Sequence, residues 1–205
     1  MGLKGILKDK HVYICGGKKN GKTTFIKWFL SGVKKHMVFD PRNEYNGFHR
    51  FRPTKSRGPE AIKQLGYFYD EIVKPNQVKL DAIAVDEVNR FHNKGGTLKG
   101  PMGELVDFGS SGSQGKPEER MSTIFVSRKP QQVHTDVRGM AEVVIIFKLY
   151  DVGAIDLLNN MVKGKDIELM IRNLGKYEFL VIDRGGASLN IQSFNPVDLQ
   201  EIQKV

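Results

Sequence analysis

The chain has 205 residues, 40% of them hydrophobic and 27% charged, a composition that supports one buried core and excludes wholesale disorder. Lys and Arg number 32 against 23 Asp and Glu, a net charge of +9, which favours a polyanionic partner such as nucleic acid over an inert basic surface. The single Cys15 excludes an internal disulfide framework. No apolar run approaches the roughly 18 residues of a membrane span, and the amino terminus lacks a signal-peptide core, so one cytoplasmic domain over residues 1–205 is expected.

The first apolar run, His11–Cys15 (HVYIC), is β-branched and aromatic and ends in glycines; Thr23–Val33 follows with apolar residues at helical spacing. The reading is strand, Gly-rich turn, helix, with Cys15 as a buried packing residue. Between them, Gly16–Thr23 reads GGKKNGKT and fits G-x-x-x-x-G-K-[ST] in the context that pattern requires. Glycines let the backbone of Gly16, Gly17, Lys18, Lys19, Asn20 and Gly21 curl around phosphate oxygens. The start of the helix, through Thr24, adds its partial positive charge. Lys22 would reach the β and γ phosphates of ATP, and Thr23 would coordinate magnesium. Lys18 and Lys19 are either solvated charges, the favoured reading, or extra phosphate contacts.

Further buried runs follow at His36–Phe39, Asp81–Val85, Ser122–Val126, Val143–Phe147 and Glu178–Ile182. Each reads as a strand covered on both faces, as a parallel sheet requires. Helices are expected over Pro59–Val73, Met102–Phe108 and Ala154–Leu174, the last as two short helices broken near Gly164. Ala187–Phe194 alternates apolar and polar residues, which suggests a closing antiparallel hairpin through Arg184-Gly185-Gly186. Strands alternating with helices give an α/β sandwich, a mainly parallel sheet flanked by helices. Asn93–Gly100 and Gly109–Arg120 read as mobile surface loops. The densest basic run, His49–Arg57 (HRFRPTKSR), reads as an edge strand with a solvated basic face, favoured over a surface for stacking single strands.

Leu80–Glu87 (LDAIAVDE) is an apolar strand ending in two adjacent carboxylates. Successive strand residues point to opposite faces, so the two can take different tasks. Asp86 would hold magnesium through water, and Glu87 would orient and deprotonate an attacking water. Taken alone, such a pair is also common as an exposed acidic turn. Ser122–Pro130 (STIFVSRKP) ends a strand in polar and basic residues, among them Arg128.

Four stretches together resemble the HerA/FtsK superfamily of nucleic-acid-pumping ATPases, especially its small viral genome-packaging members: GGKKNGKT at 16–23, FDPRNEY at 39–45, VDEVNRF at 85–91, and VSRKPQQVHTDVRGMAEVVIIFKL at 126–149. The resemblance implies a P-loop NTPase three-layer sandwich of the RecA/ASCE type, with the strand ending at Arg128 between the cradle strand and the acidic strand. Arg128 then faces the γ phosphate, where many relatives carry Gln; whether it senses phosphate in its own subunit or acts otherwise stays open. It further implies a motor for double-stranded DNA, a ring that is often a hexamer, and a neighbour's arginine completing each site, for which Arg120 and Arg138 are candidates. A capsid or portal-vertex partner, and residence in host cytoplasm or on the virion, belong to the same implication. Lys94, Lys99 and Lys116, in Gly-containing loops, are candidates for contacting DNA backbone in a ring's pore, although solvated lysines are the commoner outcome. The competing readings are an assembly or secretion ATPase that uses ATP as a switch, and a nucleotide kinase. Residues 175–205 carry no recognised motif and are expected to complete the sheet.

Overall fold

The protein is described here from a computed structural model covering residues 3–91, 97–110, 120–162, 167–184 and 190–194. In chain order the elements are α1 (Leu3–Leu7), β1 (His11–Cys15), α2 (Lys22–Ser31), β2 (His36–Phe39), β3 (Arg50–Phe51), α3 (Pro59–Tyr67), β4 (Ala82–Val85), α4 (Pro101–Ser110) and β5 (Ser122–Ser127). There follow α5 (Thr135–Gly139), β6 (Val143–Phe147), α6 (Val152–Met161), α7 (Glu168–Asn173), β7 (Phe179–Asp183) and β8 (Asn190–Phe194). The strands form one sheet in the order β3-β2-β4-β5-β1-β6-β7-β8. Pairings from β3 through β6 are parallel, and those of β7 with β6 and with β8 are antiparallel.

The strands divide their side chains between two cores, as period-two alternation demands. Tyr13, Cys15, Phe39, Ile83, Val85, Phe125, Val144 and Ile146 meet α3, α4, α6 and α7 on one face. Val12, Ile14, Val38, Ala84, Ile124, Val126 and Ile145 meet α1 and α2 on the other. This three-layer sandwich explains why the strands read as continuous apolar runs. Cys15 is fully buried, its thiol pushed up to about 12 chiefly by burial, which suits packing rather than reactivity.

Several expected elements differ in detail. Glu178–Ile182 was expected to be parallel, and β7 runs antiparallel. Burial on both faces does not encode direction, and the α6–α7 pair returns the chain to the end of the sheet where β6 stops, so the next strand must run back. The helix beginning at Pro59 is α-helical only to Tyr67; wider π-type turns over Phe68–Val73 and a 3₁₀ segment over Lys74–Lys79 continue it. The widened turn lets consecutive Phe68 and Tyr69 both reach the core. The basic run contributes only β3, at the sheet edge, and Arg50 is turned inward onto Asp40 at 2.7 Å rather than solvated. Ser110 and Gly109, expected in a loop, end α4.

Gly109 lies against the sheet: a Cβ there would sit 1.9 Å from Thr123 Oγ1 and 2.9 Å from His11 Cα. Gly109→Ala should therefore destabilise the protein by about 2–3 kcal/mol, read as a lower urea midpoint with the slope unchanged. An unaltered midpoint would show that this face of α4 is not tightly packed.

Candidate nucleotide-binding site

The Gly-rich turn connects β1 to α2 at the carboxyl end of the parallel strands. Gly16 (φ 156°) and Gly21 (φ 108°) adopt backbone conformations that disfavour a side chain, and a Cβ at Gly16 would lie 2.5 Å from Phe147 Cβ. The Gly17 amide donates to the Lys148 carbonyl at 2.9 Å, and Asn20 Nδ2 donates to the same oxygen at 2.8 Å, which pins the turn to the end of β6. Lys22 folds back into the turn and donates to the carbonyls of Gly16 (2.9 Å) and Gly17 (2.7 Å). Burial lowers its pKa first, partly offset by Asp86.

Lys18 to Thr24, Arg42, Glu44, Asp86, Glu87, Arg128, Lys176 and Tyr177 line one cavity of about 500 Å³. Gly16 and Gly17 sit behind it as the acceptors for Lys22, while Lys18 and Lys19 are exposed at its mouth. The sequence order of the strands is what assembles the cavity. β5 lies between β1 and β4, so Arg128, just past β5, meets Glu87, just past β4: Arg128 Nε to Glu87 Oε1 is 2.7 Å.

Asp86 and Glu87 are both buried. Asp86 Oδ1 accepts the Glu87 amide at 2.8 Å, and its carboxyl is pushed up to about 7, first by burial and then by the charges of Glu87 and Glu44. Thr23 Oγ1 donates to Glu44 Oε2 at 2.9 Å. A hydroxyl and buried carboxylates facing one polar cavity are the hard oxygen donors a magnesium ion takes together with phosphate oxygens. The Asp86 carboxyl, raised chiefly by burial, is one that a bound cation would lower again. Glu87 is itself left-handed (φ 54°, ψ 38°), an uncommon conformation for a non-glycine residue that concentrates at functional sites.

The sequence did not single out Arg42, Arg90, Lys176 or Tyr177, which the fold brings here. Arg42 reaches Glu87 Oε1 at 3.7 Å and Glu44 at 2.8 Å, and Arg90 reaches Glu87 Oε2 at 3.2 Å. Asp40, fully buried, accepts the amides of Glu44 (2.9 Å) and Tyr45 (3.0 Å) and so folds the loop that presents Arg42 and Glu44. Arg42 stands inside FDPRNEY and Arg90 three residues after Glu87, spacings that were available as signals. Lys176 and Tyr177 come from the tail, and Tyr177 packs over Gly21; no local pattern marks them.

The remaining candidates lie elsewhere. Arg120, ahead of β5 and so at the opposite end of the sheet, pairs with Glu142 and donates to the Gly109 carbonyl. Arg138, in α5, donates to the Val133 carbonyl at 3.2 Å and the Thr135 hydroxyl at 3.4 Å. Lys99 is exposed just before α4, and Lys94 and Lys116 lie outside the described residues.

The architecture is similar to that of known nucleotide-dependent proteins. The DNA-packaging ATPase B204 from Sulfolobus Turreted Icosahedral Virus superposes with a TM-score of 0.70 at 13% identity, covering 91% of this chain and 98% of that one. The genome packaging NTPase B204 from Sulfolobus turreted icosahedral virus 2, solved with ATP-gammaS, gives 0.66 at 14% identity over 90% of this chain and 97% of that one. This is a RecA/ASCE-like P-loop NTPase fold. The N-terminal domain of zonular occludens toxin from Neisseria meningitidis shares it more distantly, with a TM-score of 0.52 at 9% identity over 91% of this chain and 94% of that one. No family model and no curated protein sequence matches the chain.

The raised Asp86 carboxyl sets a pH dependence. Between the ordinary carboxylate range and about pH 7 the folded protein holds a proton that the unfolded chain has lost, so stability from this group falls as pH rises through that window. Asp86→Asn keeps an acceptor for the Glu87 amide and removes the charge. In nucleotide-free, metal-free buffer at pH 8 it should be more stable than the wild type by about 2 kcal/mol, with the gain shrinking toward pH 5. Parallel melting curves across that range check this; a destabilised variant at pH 8 would contradict it.

Proposed function

We propose that this protein is an ATP-hydrolysing motor that moves double-stranded DNA, in the manner of viral genome packaging. The observation that carries the reading is the meeting of Lys22, Thr23, Asp86, Glu87 and Arg128 in one cavity, produced by a strand order that sets β5 between β1 and β4. Full-length likeness to two viral packaging NTPases supports the choice of motor, and the charge of +9 suits a polyanionic track.

In this reading Lys22 leaves the Gly16 and Gly17 carbonyls for the β and γ phosphates of ATP, while the amides from Lys18 to Thr24 cradle the remaining oxygens. Thr23 and Asp86 hold magnesium, which when bound with the nucleotide offsets phosphate charge. Glu87 orients the attacking water and accepts its proton. Arg128, adjacent to both Glu87 and the cavity, stabilises charge developing on the transferred phosphoryl group. The Glu87 oxygens are engaged by Arg128 and Arg90, so the base must be released before it can act.

The working form is a homo-oligomeric ring, with a hexamer as the simplest expectation. Arg138, held by one carbonyl and one hydroxyl, is more readily presented to a neighbouring site than Arg120, which is ion-paired within its own chain. Lys94, Lys99 and Lys116 are the proposed pore contacts, and a capsid or portal-vertex protein is the proposed docking partner, in host cytoplasm or on the virion.

Steady-state phosphate release from ATP, with and without double-stranded DNA, tests the proposal. The wild type should be stimulated by DNA, and Glu87→Gln should lose at least about 100-fold in rate while still binding nucleotide. A wild-type rate indifferent to DNA would favour an ATP-dependent assembly switch, and undiminished turnover in Glu87→Gln would remove Glu87 from its role.

A further inference from the structure

A second cavity, of about 420 Å³, opens beside the first and shares Glu87 and Arg128 with it. Its walls carry Arg57, Arg90, Arg128 and Lys129 against one carboxylate, Glu87. Both oxygens of that carboxylate already have partners, Arg128 at 2.7 Å and Arg90 at 3.2 Å. Arg57 and Lys129 are in no ion pair among the described residues. Four cations facing one carboxylate leave positive charge uncompensated in a partly enclosed space, where like charges raise one another's energy and an anion lowers it. Asn89 and Gln132, joined by a 3.3 Å hydrogen bond, add amide donors to the same wall. Planar guanidinium forks match the oxygens of a phosphate group, and three of the four cations are arginines.

We propose that this second cavity binds a phosphate oxyanion, and that filling it draws Arg90 off Glu87, so that the carboxylate is freed toward the nucleotide cavity once Arg128 turns to the phosphoryl group. The inference rests on the ATPase reading above and deepens it by giving Glu87 a release trigger. Because Glu87 and Arg128 belong to both cavities, occupancy of one alters the other through side chains alone. Arg57 closes the basic run His49–Arg57, and Lys129 follows Arg128, so two cations that the hydrolytic reading leaves without a task acquire one here. The oxyanion has two possible sources, a phosphodiester of the nucleic-acid track or orthophosphate released by hydrolysis.

The test uses the full chain saturated with the non-hydrolysable analogue AMPPNP and magnesium, so that the Gly-rich turn is filled. Binding of a short fluorescent DNA duplex is read by anisotropy and binding of orthophosphate by calorimetry. The wild type is compared with Arg57→Glu/Lys129→Glu, with the milder Arg57→Gln/Lys129→Gln, and with a charge-matched control, Lys74→Glu/Lys79→Glu, at exposed positions remote from the cavity. The second-cavity variants should weaken one ligand at least tenfold while the control changes it less than threefold, and the ratio of hydrolysis with that ligand to hydrolysis without it should fall toward one. Loss of duplex binding without any orthophosphate binding assigns the phosphodiester; orthophosphate binding that depends on Arg57 and Lys129 assigns the product. Equal losses in the control, or AMPPNP binding with neither ligand dependent on Arg57 and Lys129, would overturn the inference while leaving the nucleotide reading intact. Failure of AMPPNP to bind would defeat the nucleotide reading, and this inference with it.

Discussion

Parallel pairing of β1 with β5 and of β5 with β4 is the constraint on which the site depends. Parallel strands release their chain ends on one side of the sheet. The turn after β1, the acidic pair after β4 and the arginine after β5 are therefore delivered to a common edge by backbone hydrogen bonding alone. Cores on both faces hold that register, because a slip of one residue would exchange the side chains of the two cores. The glycines of the turn then supply what the sheet cannot, a backbone free of Cβ atoms where Phe147 and Tyr177 press against it.

Gathering so much charge at a buried edge has an energetic consequence. Lys22, Asp86 and Glu87 are all buried, and buried charges are costly unless paired. Glu87 is paired with arginines from three separate segments, whereas Asp86 accepts the Glu87 amide, feels the charge of Lys22 and has its carboxyl pushed up to about 7, chiefly by burial. The contrast divides the adjacent carboxylates into one paired with the protein's own arginines and one in no ion pair among the described residues. Lys22, resting on the carbonyls of its own turn, is in the same position as Asp86. The fold thus stores unmatched polar groups where a charged ligand would match them.

Much of this arrangement was legible in the sequence. Five of the buried runs fall within a residue of the parallel strands β1, β2, β4, β5 and β6, and the turn, the acidic pair and Arg128 line one cavity, a neighbourhood that for Arg128 came from the family resemblance and not from spacing. The direction of β7 was not legible, since a strand covered on both faces reads alike in either direction. Arg42 was missed because it reaches its carboxylate partner only through the loop that Asp40 folds, whereas Arg90, three residues after Glu87, offered a local signal that went unread. Lys176 and Tyr177 were missed because their role depends on the return of the chain after α7, which no local pattern records. Arg57 was read as part of a solvated basic face, and only the fold sets it beside Arg90 and Arg128.

The central claim is that the edge formed by β1, β4 and β5 is a nucleotide site closed by Lys22. Calorimetric titration of the wild type and of Lys22→Ala with magnesium and AMPPNP tests it most directly. Saturable binding by the wild type at one site per chain, weakened at least about tenfold in a Lys22→Ala variant with an unaltered melting profile, is the result predicted. No binding by the wild type, or equal affinity in the two proteins, would contradict it.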